Sequence, residues 1–543
     1  MSSKKNSAFH IKLPIFIALG LIAGILIGAT MAGNESPKNN SLISSIHKFS
    51  NIVSYIQRDY VDEVDTEDLV ETAISKMLEK LDPHSVYIPA KDLEMSKSQL
   101  EGKFYGIGIE FNILRDTLYV VSPLSGGPSQ KLGIKSGDKI VEVDGENIAS
   151  TGISNRDVVD MLRGEQGTKV NVKIYRKNSK ELLNFDIVRD KIPQNSLEVA
   201  YMVDHEIGYM KISRFSATTY QEFHDGLKKL KNEGMTKLIL DLQGNPGGYM
   251  DRAVKIADDL LDNDALIVYT KGKEKRYNTQ YYAKRPGLFE KGKLIVLLDE
   301  GSASASEIVS GAVQDNDRGL VVGRRSFGKG LVQMPIPLND GSELRLTISR
   351  YYTPSGRSIQ KPYDAKHMED YFNDRLNRYE HGEFFHADSI KMNDSLKYKT
   401  VHGRTVYGGG GIMPDYFVPL DTANQSDYFV KLFYSNALRE YTIKYSEKNA
   451  KKLKAMKYED FRKNFRVSEA MLKDLIKTAE ELDVKFNKEQ YETSKDMIKL
   501  RIKAQVARSI WDNEGFYPIF NEQNEAFIQA VKIMDNDKSW VKL

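Results

Sequence analysis

A chain of 543 residues is too long for one ordinary core, so roughly two to four domains are expected. Its 41% hydrophobic and 28% charged residues are globular values, and a net charge of +3 with acids interleaved among the bases excludes a nucleic-acid footprint. The absence of cysteine excludes disulfides, thiolate catalysis, Cys-ligated zinc and a lipidated cysteine, and leaves the redox compartment open.

Lys4, Lys5 and Lys12 precede an uncharged apolar run from Leu13 to Ala32. About 20 such residues span a bilayer as a helix, and the basic flank stays cytoplasmic. The expectation is a membrane anchor over 1–34 with the remainder exported. The alternative is a cleaved signal peptide, with Thr30-Met31-Ala32 as an imperfect cleavage site. Gly33 to Ser41 is a polar linker. Apolar residues then recur at helical spacing (Ile46, Phe49, Ile52, Val53, Ile56; Leu69, Ile74, Met77, Leu81), which predicts two helices within a helical region over 42–95. Leu81-Asp82-Pro83-His84-Ser85 breaks the pattern.

From 96 to 190 the pattern turns β-rich. Ile107 to Phe111, Leu118 to Val121, Ile140 to Val143 and Val170 to Ile174 read as strands, with a helix over Asn155 to Arg163. Between 191 and 420, Lys237-Leu238-Ile239-Leu240-Asp241, Leu294 to Leu298 and Leu320 to Gly323 read as buried strands, with helices over Ala253 to Leu261 and Ser304 to Val313. That alternation predicts an α/β core with parallel pairing. A charged, weakly periodic stretch over 363–399 reads as a surface insertion, and 421–543 as a helical tail domain.

Gly301-Ser302-Ala303-Ser304-Ala305-Ser306-Glu307 puts serines at the junction of a buried strand and a helix. Unpaired N–H groups and the helix dipole favour an oxyanion there. The same residues also spell a capping box, serine at the cap and glutamate at N3. Ser326-Phe327-Gly328-Lys329-Gly330 offers a lysine on a glycine-bracketed turn. Burial disfavours an ammonium, so a buried lysine can serve as a base to a serine. A solvated turn lysine is the other reading; a phosphate loop is not, because Gly330 stands where Walker A needs Ser or Thr. His84 and His402 lie in turn-like contexts and read as structural, and no spacing suggests a metal site. Asn245-Pro246-Gly247-Gly248 ends a strand, either as an ordinary turn or as donors to an oxyanion.

Taken together, Tyr105 to Ile109, Gly133 to Ile140, Asp241 to Gly248, Gly301 to Asp315, Ser326 to Gln333 and Gly408 to Asp415 resemble the carboxy-terminal processing (tail-specific) peptidases of family S41, over roughly residues 42–420, and Leu81 to Ser85 fits the region before their PDZ module. The tail and the 363–399 insertion lie outside the resemblance. It implies an α/β multidomain fold: a crotonase-like ββα protease core, a β-rich PDZ domain inserted before it, and α-helical N- and C-terminal segments. It implies Ser304 as nucleophile, Lys329 as general base and Gln333 as the residue that orients the lysine. Ser302 and Ser306 remain local alternatives. The backbone N–H groups of Ala305, Gly247 and Gly248 would hold the oxyanion, and the Tyr105-Gly106-Ile107-Gly108-Ile109 loop would hold a substrate carboxylate. Expected partners are protein or peptide substrates with apolar C-termini, the membrane through the N-terminal helix, and a regulatory or adaptor protein; no cofactor, metal or nucleic acid is implied. The competing readings are an anchored PDZ scaffold on an inactive core and a crotonase-type CoA enzyme, which would need neither a PDZ module nor export.

Overall fold

The computed structural model describes residues 37–540 apart from 125, 178 and 365. The apolar run 13–32, read as an anchor, lies outside the described residues. Among the described residues no helix is long and apolar enough to cross a membrane.

The chain divides after Leu78. The first unit holds the helices Pro37–Asp59 and Thr66–Leu78, matching the periodicity read from Ile46 to Met77. Leu42, Ile46, Phe49, Ile52 and Tyr55 on the longer helix are exposed.

In the second unit, the β-rich module pairs strands in the order Ile109–Ile113, Leu118–Pro123, Lys139–Val143, Lys169–Tyr175, Leu183–Val188. Ile109–Ile113 is an edge strand. Alternation sends Leu118, Val120, Ile140, Val143, Val170, Val172 and Ile174 into one core with Val158 and Leu162 of the helix Asn155–Leu162. The chain enters through Lys103–Gly106 and leaves through Asp190–Pro193, and these two strands pair antiparallel.

The α/β core is a six-stranded sheet in the order Leu197–Met202, Ile207–Ile212, Lys237–Asp241, Lys293–Leu298, Leu320–Gly323, Tyr416–Phe417. The first pair is antiparallel and every later pair parallel. Both faces are covered, which is why the central strands read as continuous apolar runs. One face packs on the helices Thr219–Asn232, Met250–Leu260 and Ala305–Asp315. The other is covered by Phe527, Ala530, Ile533 and Met534 of Glu525–Met534, a helix from the far end of the tail. The tail is helical as read, but only Tyr428 to Ala507 and Ile519 form its separate core; its last helix belongs to the sheet.

A second sheet carries Leu331–Pro337 against Glu343–Tyr352, and the latter also pairs with Val86–Ile88, just after the Asp82–Ser85 turn. The 363–399 stretch is mostly exposed but is anchored along one side. Its helix Met368–Glu380 buries Tyr371 and Arg378, and Glu383 and Phe384 are buried beyond it. The buried face is largely polar, so hydrophobic periodicity could not reveal it.

Candidate active site

Ser304 stands between the strand Lys293–Leu298 and the helix Ala305–Asp315, at φ 55°, ψ −111°. A positive φ is uncommon for a residue with a Cβ and marks stored backbone strain. Glu307 supplies the carboxylate half of the capping box implied by the spacing: its Oε2 accepts from Ser304 N–H at 2.7 Å, while Glu307 N–H donates to the Ser304 backbone carbonyl at 2.8 Å. Capping and chemistry are therefore not alternatives here, since the cap holds Ser304 in its strained conformation.

Glu307 does more than cap. It is fully buried and also accepts from Ser326 Oγ (2.5 Å), Gly328 N–H (2.7 Å) and Lys329 N–H (2.9 Å). One carboxylate thus ties the backbone of Ser304 to the backbone of Lys329. Burial pushes its pKa up to about 7, against the pull of those hydrogen bonds. Tyr351, also buried, forms a second bridge: its hydroxyl lies 2.6 Å from the Lys329 carbonyl and 3.2 Å from the Ser304 carbonyl. Phe327 N–H donates to the Ser302 carbonyl at 2.9 Å. The two glycine- and serine-rich segments are therefore locked side by side.

Burial lowers the proton affinity of Lys329; Glu307 and Asp82 oppose that shift and Arg345 adds to it. His84 sits nearby, its pKa lowered to about 3 by burial and then by the Lys329 charge. Its Nε2 pairs with Tyr371 Oη at 2.7 Å and its ring meets Phe327 edge-on. Such a ring is neutral near neutral pH.

Ser302 and Ser306 are fully buried and their hydroxyls are spent on carbonyls, Leu242 O and Asn245 O, each at 2.9 Å. Gly247 approaches the serine so closely that a Cβ there would lie 2.8 Å from Ser304 Cβ and 2.9 Å from Ala305 N. Only glycine fits. Gly247 N–H, however, donates to Asn245 Oδ1 at 2.9 Å, whereas Ala305 N opens the helix without an intrahelical partner. Gln333 Nε2 donates to Thr347 Oγ1 at 3.1 Å, its cross-strand neighbour.

The loop that carries Lys329 is held from outside by residues that sequence reasoning missed. Ser326 Oγ accepts from Ile412 N–H at 2.7 Å, inside the Gly408 to Asp415 segment. Arg378, from the 363–399 stretch, donates to the carbonyls of Arg325 (2.7 Å) and Ser326 (3.2 Å), and its Nε to Glu383 (2.8 Å). Within the β-rich module, the carbonyls of Ile107 and Gly108 are tied by Ser129 Oγ (2.6 Å) and Leu124 N–H (2.9 Å), which fixes the orientation of the loop before the edge strand.

The profile of peptidase family S41 matches residues 206–367, that of a PDZ domain residues 106–187, that of the N-terminal domain of the activating protease CtpB residues 28–92, and that of a family of unknown function residues 428–512. The chain is 37% identical over 347 residues to a carboxy-terminal-processing protease of Bartonella bacilliformis, covering 62% of this chain and 79% of that one. It is 33% identical over 373 residues to the carboxy-terminal processing protease CtpB of Bacillus subtilis, covering 64% and 76%. Among solved structures, the photosystem II D1 C-terminal processing protease overlaps 69% of this chain and 87% of its own at 25% identity, with a TM-score of 0.35.

Proposed function

The chain belongs to peptidase family S41, among the carboxy-terminal processing proteases, and from that premise we propose that it is a serine endopeptidase working through Ser304 and Lys329. The observation that carries the reading is the double bridge of Glu307 and Tyr351, which joins a strained serine to a lysine of lowered proton affinity.

Neutral Lys329 takes the Ser304 proton as Oγ attacks the scissile carbonyl carbon. The oxyanion forms toward Ala305 N–H, with Gly248 N–H as the second donor in preference to Gly247, whose N–H is already engaged. The lysine ammonium then protonates the leaving amine as the C–N bond breaks, leaving an acyl-enzyme. Lys329 next deprotonates water, which attacks the acyl carbon and releases Ser304. Gln333 orients the lysine.

The Tyr105-Gly106-Ile107-Gly108-Ile109 loop captures a substrate carboxylate, and the substrate tail adds as a strand to the free edge of Ile109–Ile113. An apolar, unstructured C-terminus suits that groove, and docking raises the concentration of nearby chain at Ser304. The basic-then-apolar start of the sequence supports export with an N-terminal anchor.

The test is to incubate the full chain with a disordered protein ending in apolar residues, beside Ser304→Ala and Lys329→Ala. Cleavage by the parent alone is expected. Equal turnover by either variant removes the dyad, and binding without cleavage by the parent favours a scaffold.

A further inference from the structure

The Asp82-Pro83-His84-Ser85 turn lies about 260 residues before Thr347 in sequence, yet it meets the strand Glu343–Tyr352 that carries Thr347. Asp82 is buried and accepts from His84 N–H (2.8 Å), Ser85 N–H (2.9 Å), Ser85 Oγ (2.6 Å) and Thr347 Oγ1 (3.0 Å). Ser85 Oγ in turn accepts from Thr347 N–H at 3.1 Å. Thr347 Oγ1 is also the group that faces Gln333 Nε2 at 3.1 Å.

A hydroxyl has one proton to give, and an ionised carboxylate only accepts. The Thr347 proton is therefore committed to Asp82, and toward Gln333 the Thr347 oxygen can act only as an acceptor. A reversed Gln333 amide would set oxygen against oxygen. The donor end of Gln333 is fixed on the Thr347 side, which leaves the carbonyl end, Oε1, to accept from an amine.

We propose that Asp82 and Thr347 are positioning residues, a carboxylate-to-hydroxyl relay that fixes which end of the Gln333 amide is presented to Lys329. The proposal rests on the serine–lysine reading above. An Oε1 facing the lysine accepts its N–H and leaves the nitrogen lone pair for the Ser304 proton. A reversed amide would donate into that lone pair and occupy the base. The Asp82 to Ser85 turn thereby acquires a role in the chemistry that its position before the PDZ domain does not suggest.

The experiment measures kcat, KM and the pH profile of the full chain on one peptide substrate, with Lys329→Ala as reference and melting curves as a check on folding. Thr347→Val removes the hydroxyl at constant shape and is expected to lower kcat about 10- to 100-fold with KM within about two-fold. Thr347→Ser keeps the hydroxyl and is expected to stay within about three-fold of the parent. Asp82→Asn also lowers kcat and moves the acid limb to lower pH, because it removes one of the negative charges that favour the lysine ammonium. The other charged groups facing Lys329 are Glu307 and Arg345, with His84 neutral beside them, and all stay in place. A merely structural loss would leave that limb where it was.

Parental kcat in Thr347→Val, equal losses in the valine and serine variants, or an unmoved limb in a folded Asp82→Asn each overturns the relay. Turnover by Lys329→Ala instead overturns the serine–lysine reading, whatever the Thr347 pair does.

Discussion

The seam between the Ser304 and Lys329 segments is buried and bonded through backbone, whereas the seam between the PDZ domain and the helical tail is ionic and partly exposed. At the first, Glu307 and Tyr351 are fully enclosed and between them hold both Ser304 and Lys329. At the second, Glu110 of the PDZ edge strand pairs with Arg439 (3.1 Å) and Arg508 (3.7 Å), and Arg115 pairs with Glu481 (2.6 Å) and Glu440 (3.2 Å). The Arg115 and Glu481 side chains are 48% and 43% exposed, so water and salt screen them. A buried charge-assisted hydrogen bond is worth about 1.5–3 kcal/mol net, an exposed ion pair about 0–1. The geometry of the Ser304 and Lys329 segments is therefore preset, while the module proposed to capture the substrate meets the tail through partly screened ion pairs, of which only the one to Glu440 ends on a buried carboxylate. Regulation by movement would fall on the second seam.

The comparison breaks most severely at the dyad. Ser304→Ala and Lys329→Ala are each expected to lower turnover on the order of 10³-fold or more while leaving the affinity of the PDZ domain for a tail peptide unchanged. Cleavage rates together with peptide titration check both halves.

Glu307→Gln should follow, with kcat down on the order of 100-fold, because an amide cannot accept all the donors that converge on the carboxylate. It also carries a stability signature. A carboxyl whose pKa rises to about 7 on folding binds its proton more tightly in the native state than in the unfolded one. Its contribution is full below the ordinary glutamate range and is lost as pH rises through about 7. The parent should lose stability across that window and Glu307→Gln should not, which thermal melts at stepped pH read directly.

Gly108→Ala probes the second region. Gly108 has φ +73°, and a Cβ there would lie 2.8 Å from Ile192 Cδ1. Distorting this loop should raise KM for apolar-tailed substrates about 3- to 10-fold and leave kcat at saturation within about three-fold. The smallest effect is expected at the ionic seam. Arg115→Ala should change global stability by less than about 1 kcal/mol, yet raise amide exchange where the module meets the tail, and high salt should mimic it in the parent.

The strands of both regions were legible in the sequence, but not the contacts that join them. The runs Leu238 to Leu240 and Leu294 to Leu298 betray strands covered on both faces, and the serine run after one of them marks the junction. PDZ alternation at Leu118, Val120, Ile140 and Val143 is equally plain. What escaped was every contact that joins distant segments. Tyr351 looks like any strand tyrosine, Thr347 like any strand threonine, and Asp82 like a turn residue, because none depends on local periodicity. Arg378 was hidden by the polar inner face of its helix. Glu307 reads as a cap from its spacing, and only the fold shows that the same carboxylate reaches the Lys329 loop. The last helix, Glu525–Met534, is an ordinary amphipathic segment until the sheet face it covers is known.

The central claim is that Ser304 attacks because Lys329 stands beside it as a base. The most direct measurement is to treat the full chain and its Lys329→Ala variant with a serine-directed acylating probe over a range of pH and to locate the adduct by peptide mass spectrometry. The account predicts one adduct, on Ser304, whose rate rises with pH through a midpoint below that of an ordinary lysine, and labelling slower by about 100-fold or more in Lys329→Ala. An adduct on Ser302 or Ser306, or parental labelling without Lys329, would contradict it.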